Sequence, residues 1–122
     1  MSLRIISVAG IAASLFAVPA LAHHSFAMFD ADKTVELTGV VKELQWTNPH
    51  SWLEITVTDA QGKQTVWGFE MGSPGGLARV GWRPKTVVPG DKVTVAGHPM
   101  RDGTPGAQFM HVILPNGQKM TD

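Results

Sequence analysis

The chain has 122 residues, ten lysines and arginines against ten aspartates and glutamates, and no cysteine. That length suits one small domain with a modest core, and the lack of thiols excludes disulfides and thiolate metal sites. Charges of both signs alternate with no basic stripe, which argues against a nucleic-acid partner.

The opening MSLRIISVAGIAASLFAVPALA carries one cation, Arg4, then an apolar run from Ile5 to Val18, Pro19 and the small-x-small tripeptide Ala20-Leu21-Ala22. This is the pattern of a secretory signal peptide, residues 1–22, cleaved after Ala22. As a helix the run would span about 21 Å, short of the roughly 30 Å of a hydrocarbon core. No later segment is long and apolar enough either, so no stable membrane insertion is expected. The expected mature chain is a single domain, residues 23–122, beginning at His23.

From Thr34 onward the pattern is period-two and punctuated by turns, which predicts an all-β domain. Thr34 to Trp46 reads as a long first strand. Val35 and Leu37 lie on one parity and Val40, Leu44 and Trp46 on the other, with the switch expected at Gly39. Asn48-Pro49 breaks it. In SWLEITVTD, Leu53, Ile55 and Val57 alternate against Glu54, Thr56 and Thr58, the clearest half-buried strand of the chain. Asp59 to Gly62 turns into a third strand, Lys63 to Glu70. Ser73 as a cap and Pro74 at the first helical position predict a short helix within residues 73–80. A Pro89-Gly90-Asp91 turn launches KVTVAGHPM, RDGTPG turns again, AQFMHVILP forms a fifth strand, and Asn116-Gly117 lets a short tail fold back. Three strands, a short helix and two or three further strands match a small five- to six-stranded antiparallel barrel, OB-like, with the helix between strands three and four. A β-sandwich is the alternative.

Five histidines in a chain without cysteine carry the chemistry. Cleavage after Ala22 would make His23 the N-terminal residue, pairing its α-amine with its own imidazole. Both groups deprotonate near neutral pH, and an amine with further imidazoles favours Cu(II) among the divalent ions. His24 follows directly. His50 lies in WTNPHSW between two tryptophans, and His98 precedes a proline at a strand end. His111 alternates with Phe109 and Ile113 and reads as a partly buried core histidine. Glu70, at the end of the third strand, is placed to orient a ligand histidine. Methionines 28, 100 and 110 read as gap-fillers rather than ligands. No HExxH, nucleophile elbow or phosphate loop is present.

HHSFAMFD behind the signal peptide, WTNPHSW, the run from Trp67 through Glu70 to GSPGGL, GW with downstream PGDKVTV, and GHPMRDG together resemble a family. It is a family of small exported proteobacterial proteins known only as a domain of unknown function. The resemblance covers essentially all of residues 23–122. It implies a periplasmic, one-domain β protein with no assigned activity and supplies no catalytic residues.

The residues themselves favour a metal-binding protein, copper by preference, with His23, His24, His50 and His98 as candidate ligands and a role in storage, delivery or buffering. The alternative is an OB-like binding module whose Trp46, Trp52, Trp67 and Trp82, with Glu70, present a stacking surface to a small molecule, glycan or periplasmic protein partner. A copper redox enzyme stands behind both, because so short a chain leaves little room for a metal site and a shaped substrate surface.

Overall fold

The computed structural model describes residues 26–122. The expected signal peptide, its boundary at Ala22, and the candidate ligands His23 and His24 lie outside the described residues. Six strands follow: β1 Val35–Gln45, β2 Trp52–Thr58, β3 Gln64–Glu70, β4 Lys92–Pro99, β5 Gly106–Ile113 and β6 Lys119–Thr121. One short helix, α1 Pro74–Arg79, joins β3 to β4, and a 3-10 turn spans Phe26–Met28.

β1 pairs antiparallel with β2 on one side and β4 on the other, β2 with β3, and β4 with β5. A parallel pairing of β3 with β5 closes the circuit β1-β2-β3-β5-β4-β1. This is the expected five-stranded, OB-like barrel, extended by β6 on β5. None of the described helices is long and apolar enough to cross a membrane.

Alternation explains the core. Leu53, Ile55, Phe69, Val95 and Val112 are fully buried inside the barrel, and Val57 packs against them. α1 forms where expected: the Ser73 hydroxyl accepts from Gly76 N at 3.2 Å, and Pro74 fills the first turn. The helix contributes Leu77 to the core. Beyond it Trp82 is fully buried edge-on to Phe109, with ring centroids 5.8 Å apart. The indole N–H of Trp82 donates to the Thr121 carbonyl at 2.8 Å, which ties β6 to the core.

Two side-chain assignments change. The switch of face in β1 falls at Lys42, between Val41 and Glu43, where the register with β2 shifts, and not at Gly39. Val41 is therefore inside and Val40 is 45% exposed. The sequence offers two adjacent valines, and only the pairing with β2 tells them apart. Gly39 has a different purpose: a Cβ there would stand 2.6 Å from the Thr56 carbonyl oxygen, so β1 and β2 could not approach as they do. In β5 an extra residue, Met110, sits opposite the Ala96–Gly97 step of β4. That bulge moves His111 off the inward face of Phe109, and buried Val112 takes the core position instead.

Candidate functional site

β5 serves two partners along one edge. Its first half pairs with the end of β3 (Gly68–Gly106, Phe69–Ala107, Glu70–Gln108), and its second half pairs with β6 from His111–Thr121 onward. Between Gln108 and His111 the edge changes hands, at the bulge. β3 ends at Glu70, β6 ends at Thr121, and a cavity of about 160 Å³ opens at this seam, lined by His50, Glu70, Met71, Gly72, Gln108 and Asp122.

Glu70 decides the character of the seam. It pairs with Trp52 on one side and Gln108 on the other, opposite in phase to the inward Leu53 and Phe69, so its side chain starts on the outer face. Yet only 6% of it is exposed, and its Oε2 has no hydrogen-bond partner. The other oxygen, Oε1, approaches His50 Nδ1 at 3.7 Å. Desolvating a carboxylate without full pairing is costly, so its retention at this wall needs a reason.

His50 is held from two sides. The Thr47 hydroxyl donates to the His50 carbonyl at 2.9 Å. Its neighbour Ser51, fully buried, exchanges backbone bonds with the strand end: Ser51 N to the Gly72 carbonyl and Met71 N to the Ser51 carbonyl, both at 2.9 Å. His50 Nδ1 lies 2.9 Å from the Met71 carbonyl. A carbonyl only accepts, so Nδ1 carries the hydrogen, and in the neutral ring the lone pair is on Nε2. This is how backbone carbonyls orient imidazoles that ligate metals.

Asp122 closes the lining from the far end of the chain, its Oδ2 accepting from Gly72 N at 3.2 Å. Although Asp122 is an exposed residue by surface area, its carboxyl is partly desolvated. That burial raises its pKa above the ordinary 3.8, opposed by the bond from Gly72.

His98 is on the same strand-to-strand row, opposite Gln108. Its Nδ1 donates to the Lys33 carbonyl at 2.7 Å, which again leaves the lone pair on Nε2, but it does not line the cavity. The expected tryptophans do not act together. Trp46 and Trp67 pack against the core, whereas Trp52 is on the outer face, its ring 3.6 Å from where a Cβ of Gly68 would be. Among the described residues no three histidine or acidic side chains converge closely enough to hold a metal ion.

The structure thus brings together His50 and Glu70 of the expected set and adds Gln108 and Asp122. Nothing in the sequence near either one signals a site: Gln108 gets there by the parallel β3–β5 pairing, and Asp122 by the return of β6. Residues 11–108 match the model of a family described as a family of unknown function, DUF6152. The chain belongs to that family. The matched segment includes His50, Glu70 and Gln108 and ends before β6. No curated protein and no solved structure matches the chain significantly.

Proposed function

We propose that this DUF6152 member is a small exported metal-binding protein of the periplasm, copper by preference, serving storage, delivery or buffering. The observation that carries the reading is the buried, incompletely paired Glu70 carboxylate beside a histidine whose Nδ1–H is committed to a backbone carbonyl. A carboxylate and a backbone carbonyl on the Nδ1 side of an imidazole orient the ring and leave its Nε2 lone pair as a potential metal donor. The other donors, in this reading, are those of the mature N-terminus: the His23 amine and imidazole, with His24 beside them.

The described beginning of the chain supports that assembly. Phe29 is buried and bridges to Met100, Arg101 N donates to the Met28 carbonyl, and Asp30 N donates to the Pro99 carbonyl. These contacts anchor the segment at the C-terminal end of β4. From β4 to β3, across β5, is two interstrand spacings, about 10 Å. His98, at the same end of β4, is the reserve ligand.

The test is calorimetric titration of the chain that starts at His23. It should bind Cu(II) tightly near neutral pH and lose affinity steeply below about pH 6, as amine and imidazoles take up protons. One extra residue ahead of His23 should weaken binding far more than His111→Ala. Equal affinity with and without that residue would rule out the N-terminal chelate, and the binding-module reading would lead.

A further inference from the structure

We propose that the seam cavity binds the protonated primary amine of an organic ligand, its ammonium group paired with the Glu70 carboxylate. The site is built wholly from described residues. It goes beyond the metal-binding reading above and does not depend on it.

Three observations carry the proposal. First, the fold leaves Glu70 short of both donors and counter-charge. Glu70 is buried, and its Oε2 has no hydrogen-bond partner. The backbone N–H groups that follow it are committed elsewhere, Met71 N to the Ser51 carbonyl and Gly72 N to Asp122. Gln108 pairs with Glu70 in the sheet but gives Oε2 no hydrogen bond. His50 Nδ1 stands 3.7 Å from Oε1 and donates to the Met71 carbonyl instead. Among the described residues the lysine and arginine ion pairs are with Asp30 and Glu54, and none reaches the Glu70 or Asp122 carboxyl within 4.0 Å. Carboxylates with a structural role in this chain are bonded: Asp59 accepts from Gln61 N and Lys63 N, and Asp102 from Thr104 N and Oγ1.

Second, the space beside that carboxylate suits an organic group. The cavity of about 160 Å³ has Glu70 in its wall and Asp122 as a second acidic residue. A protein cavity of roughly 150 Å³ takes up benzene, so an amine on a stem of about four carbons fits.

Third, the geometry selects the kind of cation. A guanidinium is recognised best by two parallel bonds to both carboxylate oxygens, and Oε2 is sealed from solvent. A quaternary ammonium calls for aromatic faces, and no phenylalanine or tryptophan lines the cavity. A metal ion needs several ligands converging at about 2.0–2.6 Å, which the described side chains do not provide. An ammonium is a compact charge. It donates at about 2.7–3.2 Å and takes water for the bonds that the wall leaves open.

The experiment titrates the chain that starts at His23 with n-butylamine near neutral pH, with a metal chelator present and ionic strength held constant. Backbone amide NMR shifts report binding, and saturable shifts are expected at Glu70, Gly72 and Gln108. Glu70→Gln should weaken the affinity by roughly 10- to 100-fold, the usual effect of losing a hydrogen bond to a charged group. n-Butanol, N-methylguanidinium and tetramethylammonium should each bind at least about tenfold more weakly than the amine. A capped tripeptide with a central lysine distinguishes the two sources of an ammonium. Tighter binding than butylamine assigns the site to a lysine side chain of a partner, and weaker binding assigns it to a free amine.

The absence of saturable shifts at these amides overturns the proposal, and so does equal affinity in Glu70→Gln. Equal binding of butanol and butylamine overturns the role of charge, a comparison that stands even if Glu70→Gln does not fold. Equal binding of the guanidinium overturns the choice of an ammonium. The Cu(II) titration is a separate measurement made without chelator, so either reading can fail while the other stands.

Discussion

At the scale of single residues, the seam depends on where protons and charges are allowed to rest. His50 gives its Nδ1 hydrogen to Met71, while Glu70 keeps an oxygen without any. Asp122 is the residue whose titration has a resolved direction there. Burial raises its carboxyl above 3.8, so the fold favours the protonated form. Its contribution to stability is therefore full below 3.8 and is lost as pH rises through the higher folded-state value. Asp122→Asn keeps an acceptor for the Gly72 N–H and removes the charge. The variant should equal or exceed the parent in stability at neutral pH, and the difference should vanish in acid. Urea unfolding of both proteins at about pH 7 and about pH 3 measures this. A variant less stable than the parent at neutral pH would show that the charged form is the one the fold prefers.

At the scale of elements, β2 is the strand whose position was most legible. Its alternation admits one register, because a slip of one residue would expose Leu53, Ile55 and Val57 together. Leu53 is fully buried, and Leu53→Ala should cost about 2–5 kcal/mol in denaturant unfolding. A loss below about 0.5 kcal/mol would be that of a surface position. β1 and β5 were less legible, and for one reason: each carries a bulge. A bulge adds a residue without leaving a mark in composition, so parity counted along the strand drifts by one. Val40 and His111 are the two residues displaced by that drift. His111 pairs with Ala96 and Thr121 instead of sharing the face of Phe109.

At the scale of the whole molecule, β6 is a small strand with a large role. It is only Lys119–Thr121, yet it receives the Trp82 indole N–H, brings Met120 against the core and delivers Asp122 to the seam. Deleting residues 119–122 should leave the five-strand barrel folded by far-ultraviolet circular dichroism, because its closure is made by β3 and β5. It should nevertheless lower stability by about 1–3 kcal/mol or more, since a buried indole donor loses its acceptor. Unchanged stability in urea would mean that Trp82 finds water instead.

The sequence by itself determined the all-β class, the strand order along the chain, the capped helix after β3 and the candidacy of His50 and Glu70. These follow from local physics: period-two burial, the phase of turns, the capping hydroxyl and the chemistry of each side chain. The tertiary structure decided what those residues meet. Barrel closure set Glu70 beside Gln108, although they are 38 positions apart and the pairing is parallel. The return of β6 set Asp122 against Gly72 across 50 positions. A pattern read along the chain records which face a side chain leaves from, and it holds no record of which distant strand lies across from that face. For that reason the burial of Glu70 at a cavity wall, on the outward side of its strand, is visible only in the fold.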